Sequence, residues 1–188
     1  MNDFYKILEE NPIIAAVKNR ESLEAACAEE EIKVIFILFG DINSIASIVE
    51  KVHNSGCIAM VHIDLISGLA SKDIAVDYIK HNTKADGIIT TKPALIKRAA
   101  ELGFYTVLRV FLIDSMAFEN LKTQVYNLRP DFIEVLPGIM PKIISKLKKC
   151  VKSPIIAGGL ISDKEDVLAA LSAGATSVST THEEVWKM

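Results

Sequence analysis

Residues 155–181, IIAGGLISDKEDVLAALSAGATSVSTT, hold the pattern that decides the fold. A β-rich run at 155–157 ends on Gly158-Gly159, and Ser162 with Glu165 has the spacing of a helix-opening capping box. A second β-rich run at 177–179 then closes on Ser179-Thr180-Thr181. Strand, crossover helix, strand forces the two strands to be parallel. The same unit recurs outward through the chain, with further strand candidates at 13–17, 34–38, 58–63, 87–90, 106–113 and 132–136. Amphipathic stretches at 42–52 and 93–102 lie between them, the second followed by Gly103 as a stop signal. Eight βα units predict an α/β fold, a compact TIM-like (β/α)8 barrel with trimmed helices. An open doubly wound sheet is the alternative. Ala85-Asp86-Gly87-Ile88-Ile89-Thr90-Thr91 aligns with Ala175-Thr176-Ser177-Val178-Ser179-Thr180-Thr181, four units further on, as a half-barrel repeat would.

The 188 residues, 50% hydrophobic and 24% charged, match ordinary globular usage and predict a single domain over 1–188. The net charge of −3 gives no overall basic signature, so nucleic-acid binding would need a local patch. Cys27, Cys57 and Cys150 lack any metal or redox spacing and read as reduced core thiols of a cytoplasmic protein. No signal peptide or membrane span is expected, and no metal or cofactor.

In such a barrel, phosphate is commonly held by the loops after strands seven and eight. Gly158 and Gly159 let backbone N–H groups approach an anion. Ser179, Thr180 and Thr181 offer hydroxyls and helix-starting amides, with a second capping box at Thr181 and Glu184. Glu183 and Glu184 work against an anion there. Polar residues embedded in apolar strands form a second group: Lys18, His62 with Asp64, Arg109 and Glu134. Alternation puts Val107, Arg109 and Phe111 on the inner face of their strand and Leu108, Val110 and Leu112 against the helices. Arg109 and Glu134 should then pair with each other or with a ligand, because an unpaired buried charge is costly. Asp64 and Glu134 suit polyol hydroxyls, Lys18 and Arg109 supply positive charge, and His62 reads as a satisfied core histidine. No nucleophile elbow, metal cluster or dinucleotide fingerprint is present, so the site looks built to hold a small polyol phosphate rather than to transform it. Lys142, Lys146, Lys148, Lys149 and Lys152 make the best basic patch, on and after helix six of the alternating series.

On these residues the chain resembles the glycerol-3-phosphate-responsive antiterminator family. The resemblance runs nearly end to end through PIIAAVK (12–18), VHIDLISG (61–68), RVFLIDS (109–115), DFIEVLPG (131–138), IIAGGLI (155–161) and VSTT (178–181) leading to Trp186. It implies a barrel that binds glycerol 3-phosphate and, when loaded, engages leader mRNA so that transcription of genes for glycerol uptake and metabolism continues past a terminator. It implies no catalytic role, and it makes Lys142, Lys146 and Lys149 candidates for RNA contact. The family pattern often has a basic residue after Gly-Gly-Leu-Ile, where this chain has Ser162. The alternative is a small TIM-barrel enzyme acting on a phosphorylated triose or polyol, with Asp64 or Glu134 as acid/base. Oligomeric state is left open, a homo-oligomer included.

Overall fold

The computed structural model describes residues 3–188. Eight strands close into one parallel barrel in sequence order: β1 (Ile13–Val17), β2 (Val34–Ile37), β3 (Ile58–His62), β4 (Gly87–Thr90), β5 (Tyr105–Phe111), β6 (Phe132–Leu136), β7 (Ile155–Gly158) and β8 (Ser177–Thr180). The open doubly wound sheet is thereby excluded. A helix precedes β1, α1 (Asp3–Glu10), and one follows each strand: α2 (Arg20–Ala28), α3 (Ile45–Asn54), α4 (Asp73–Asn82), α5 (Pro93–Glu101), α6 (Ser115–Leu128), α7 (Pro141–Lys148), α8 (Lys164–Ser172) and the single turn α9 (Glu183–Trp186). None is long and apolar enough to cross a membrane. The two halves of the proposed repeat fall on β4 and β8. Each ends in a threonine whose hydroxyl accepts the N–H two residues on, Thr90 from Lys92 and Thr180 from His182, both at 3.1 Å.

Several boundaries differ from expectation for local reasons. Helix α3 starts at Ile45 rather than near 42, because the Asp41 carboxylate accepts from the N–H groups of Asn43 and Ser44 and holds them in a turn. Neither expected capping box forms. At α8 the cap is Asp163, one residue later than Ser162, accepting from Asp166 N, while Ser162 gives both its N–H and its hydroxyl to the Asp166 carboxylate. At α9 the cap position is His182, with no side-chain bond. The three cysteines are free as expected, but only Cys57 is buried and Cys150 is exposed.

The strand register sorts the inward side chains into layers, each drawn from alternate strands. From the N-terminal end they are Val34, Gly87, Phe132 and Ser177; then Ile14, Met60, Val107 and Ile156; then Phe36, Ile89, Glu134 and Ser179; then Ala16, His62, Arg109 and Gly158. The apolar members form one buried cluster together with Phe4 and Leu8 of α1, which close the N-terminal end. Outward residues such as Leu108, Ile133, Ala157 and Val178 pack against the helices in a separate cluster. The alternation read for β5 holds within the barrel, Val107 and Arg109 inside and Leu108 and Leu112 on the helix side, whereas Phe111, also read as inward, is 53% exposed at the strand end beyond Arg109. Gly87 is dictated by packing, since a Cβ there would sit 2.5 Å from the Met60 thioether and 2.6 Å from Tyr105 O.

Candidate ligand-binding site at the barrel mouth

The polar side chains gather in the upper two layers and the loops above them. Arg109 and Glu134 are direct register partners on β5 and β6. Arg109 Nε lies 2.5 Å from Glu134 Oε2, and Nη2 lies 3.2 Å from Oε1. Ser179 Oγ donates to the same Oε1 at 2.5 Å. Glu134 is fully buried and Arg109 nearly so, so the expected pairing forms inside the barrel and engages both carboxylate oxygens. Gly158 serves this arrangement directly: a Cβ on it would stand 2.6 Å from Glu134 Oε1 and 2.7 Å from Ser179 Oγ.

Asp64 lies beyond the end of β3, in a short 3-10 turn, Ile63–Leu65. Its carboxylate is tied to the β4 loop. Thr90 Oγ1 donates to Oδ1 at 2.9 Å, Thr91 N and Oγ1 donate to Oδ2 at 2.8 and 2.9 Å, and Lys92 Nζ stands 3.3 Å from Oδ1. Partial burial works to raise its pKa, but the Thr91 N–H, the two threonine hydroxyls and Lys92 together outweigh it, and the net shift is downward. Lys92, absent from the sequence reading, thus joins Lys18 and Arg109 as a third cation of the mouth. Its one signal was a position two residues past a strand that ends in threonine. Lys18 itself is exposed at the end of β1, its backbone N–H accepted by Ser22 Oγ.

His62 departs from the expectation of a satisfied core histidine. It is 3% exposed, and its Nδ1 has no hydrogen-bond partner among the described residues. Burial chiefly, then the Arg109 charge, push its pKa from 6.5 down to about 4, with Asp64 pulling the other way. The ring is therefore neutral at pH 7. The unfolded chain binds this proton more readily than the folded one, so stability is full above pH 6.5 and is lost as pH falls towards 4, by roughly 3 kcal/mol in the limit. Urea unfolding at pH 7 and 4.5 should show a steeper acid loss for the unmodified protein than for His62→Gln. Parallel losses would assign the acid lability to other groups, since His53, His81 and His182 are common to both.

At the β7 and β8 ends, two of the hydroxyls expected to meet an anion are committed within the protein. Ser179 donates to Glu134, and Thr180 Oγ1 donates to Ile161 O at 2.6 Å, fixing the β7–α8 loop. Backbone groups remain. Among the described residues, no acceptor takes the N–H of Gly159, Leu160 or Thr181. Gly159 and Leu160 are both left-handed, with φ of +75° and +63°. For the leucine this costs roughly 1–2 kcal/mol. Adjacent residues of this kind can turn their N–H groups towards one anion. Neither helix terminus adds an open donor set, because α8 is closed by Asp163 and Asp166 and α9 is a single turn. Glu183 and Glu184 are exposed, and Glu184 is paired with Lys187.

The lysines singled out for RNA run along α7 and past its end. Lys142, Lys146, Lys148, Lys149 and Lys152 are all exposed, and none has a carboxylate partner among the described residues. The patch continues into a cleft of about 520 Å³ whose lining includes Val125, Tyr126, Arg129, Val151 and Lys152, with Tyr126 78% exposed.

Comparison with known proteins gives a coherent answer. Residues 13–186 match the family described as glycerol-3-phosphate responsive antiterminator. The chain is 42% identical to the Escherichia coli (strain K12) protein YgcP over 182 residues, 97% of this chain and 95% of that one. The crystal structure of a glycerol uptake operon antiterminator regulatory protein from Listeria monocytogenes superposes with a TM-score of 0.89 at 30% identity, covering 93% of this chain and 94% of that one. A glycerol uptake operon antiterminator-related protein from Thermotoga maritima superposes with a TM-score of 0.84 at 32% identity, covering 95% and 99%.

Proposed function

The chain belongs to the glycerol-3-phosphate responsive antiterminator family, and from that premise we propose that it binds glycerol 3-phosphate at the C-terminal mouth of the barrel and, when loaded, binds leader RNA so that transcription of glycerol genes passes a terminator. The observation that carries the ligand half is the set of three backbone N–H groups, on Gly159, Leu160 and Thr181, left without acceptors among the described residues at adjacent strand ends. They would take the phosphate, with Gly158 giving the approach and Ser179 and Thr180 holding the loops in shape. Lys18 and Arg109 add positive charge on the inner side. Glu134 orients Arg109, Asp64 orients Lys92 and the β4 loop, and any hydroxyl they accept comes in addition to bonds already made.

The RNA half rests on the lysines along and just past α7, with Lys142, Lys146 and Lys149 at the centre and no carboxylate partner among the described residues, and on Tyr126 beside Arg129 and Lys152. Cations that follow a phosphate backbone next to an exposed ring suit single-stranded RNA, where bases stack on aromatic faces. A path between the two sites exists: Gly138 N donates to Gly159 O at 3.0 Å, so the segment leading into α7 is bonded to the glycine loop. Bound phosphate adds negative charge, which by itself repels RNA, so favourable coupling must act through such a loop contact.

Fluorescence anisotropy with a leader RNA across a salt series tests this. Loaded protein should bind more tightly and with a steeper salt slope, because more phosphates are contacted. Equal affinity and slope with and without glycerol 3-phosphate would remove the switch. The enzyme alternative would use Asp64 or Glu134 as acid/base. Glu134 is enclosed by Arg109 and Ser179, and Asp64 is held as a carboxylate by Thr90, Thr91 and Lys92, which favours the regulatory reading. Product formation from glycerol 3-phosphate in the same samples would reverse that preference.

A further inference from the structure

Around one side of the barrel mouth the exposed side chains are large and apolar. Phe111, Ile113, Met116, Ile139 and Leu160 all lie open, at the end of β5 and on the loops and first helical turn that follow β5, β6 and β7. Backbone hydrogen bonds join these segments side by side: Leu112 N donates to Leu136 O at 2.8 Å, and Gly138 N donates to Gly159 O at 3.0 Å. Ile113, Ile139 and Leu160 each come directly after one of the bonded residues, which sets them along one continuous rim. Phe111 ends β5 beside it, and Met116 lies in the first turn of α6. The stretches 110–113, 136–140 and 157–161 carry no charge and no hydroxyl, side-chain amide or imidazole, in a chain that is 24% charged. Leu160 is the telling member. Its φ of +63° is a strain that glycine would avoid, and burial within the chain does not offset it, because the side chain is exposed. Such strain persists where it serves a function, and what it does here is present a leucine to the outside.

We propose that this rim is the face on which a second copy of the chain docks. The five side chains, between 44% and 83% exposed, leave on the order of 500 Å² of apolar surface open. That is most of the ~800 Å² that each partner of a stable pair buries, before backbone and flanking polar groups are added. Nucleic acid is a poor match, because its affinity comes from cations and these stretches have none. A protein partner fits, since interface cores are depleted in charge and enriched in aromatic residues and methionine. Among proteins, a second copy fits best: an apolar surface placed about a twofold axis is complementary to itself. Charges begin only where the loops enter their helices, at Asp114, Lys142, Asp163 and Lys164, so the border holds both signs and can pair across the same axis. Helix α7 leads from the rim towards the other end of the barrel, so docking here leaves Lys146 and Lys149 open. The inference stands apart from the anion cradle although both involve Leu160, the cradle through its N–H and the contact through its side chain.

Sedimentation velocity of the ligand-free protein, from low to high micromolar concentration, tests the contact without reference to the cradle. The unmodified chain should be a dimer at the upper end of that range. Leu160→Asn and Ile113→Lys should each weaken the dimer by at least about tenfold, because a twofold contact loses the side chain twice. Leu168→Lys, at an exposed leucine on α8 away from the rim, should leave the dimer constant within about twofold. Asparagine accepts a left-handed backbone more readily than leucine. Leu160→Asn should therefore resist urea at least as well as the unmodified chain at concentrations where both are monomeric, a sign opposite to its effect on the dimer and one that damage to the fold would not give. A monomer at every concentration would overturn the inference, as would a dimer that both rim variants leave intact. Equal weakening by Leu168→Lys would move the contact to another face. A Leu160→Asn chain less stable as a monomer would show the leucine serving its own fold, and would count against the inference in the same way.

Discussion

Glu134→Ala is expected to lower the free energy of unfolding by about 3–5 kcal/mol, because it strands a charge rather than removing a contact. Arg109 would keep its guanidinium inside the barrel, 9% exposed, with its acceptor gone, and the Ser179 hydroxyl would lose the same oxygen. Removing both charges is a different experiment. Arg109→Met with Glu134→Leu replaces the pair by apolar groups, and such replacements of buried ion pairs range from neutral to stabilising. Urea denaturation should therefore show most of the single-variant loss recovered in the double variant. A loss below about 1 kcal/mol in Glu134→Ala would mean that solvent or another acceptor satisfies Arg109. The double variant also separates structure from function: if it is stable but no longer binds glycerol 3-phosphate, the pair is retained for the charge it presents to ligand.

That pair was legible from sequence because strand alternation is a local rule and β5 and β6 are adjacent in the chain. Once Arg109 and Glu134 were both placed on inner faces, burial required each to find a partner, the other or a ligand, and the register of β5 and β6 made it the other. The loops after β7 and β8 were legible as strand ends for a similar reason, Gly158-Gly159 and the threonines marking them by composition. The detail within them was not. Ser162 and Asp163 are both competent caps, and the choice between them depends on where the loop leaves β7. The hydroxyls of Ser179 and Thr180 looked free for an anion, yet their partners, Glu134 and Ile161 O, lie 45 and 19 residues away. Lys92 and the His62 Nδ1, without a partner among the described residues, belong to the same class, since each takes its meaning from the register of neighbouring strands.

The other large effect lies at the opposite end of the barrel, in a helix whose packing the sequence did not declare. Phe4 and Leu8 share one face of α1 at i, i+4 spacing, a signal present in the chain but too short to read against the charges at Lys6, Glu9 and Glu10. What gives the pair its use is the lowest interior layer, where Gly87 and Ser177 are too small to close the barrel. Phe4 enters that space fully buried, stacked on Tyr105 with centroids 4.8 Å apart and edge-on to Phe132 at 5.0 Å. The helix also lies outside the span matched by the family, which starts at Ile13. Phe4→Ala should therefore cost about 3–5 kcal/mol, the range for deleting a buried aromatic whose surroundings cannot collapse, here because strand register fixes the walls. Tyr5→Ala, half-buried and only loosely stacked on Phe132 at 6.2 Å, should cost much less. Affinity for glycerol 3-phosphate at the mouth should stay the same in folded Phe4→Ala protein, since three interior layers stand between the two ends. A loss for Phe4→Ala no larger than that for Tyr5→Ala would show that the barrel floor closes without the helix, and α1 would then be an appendage rather than part of the core.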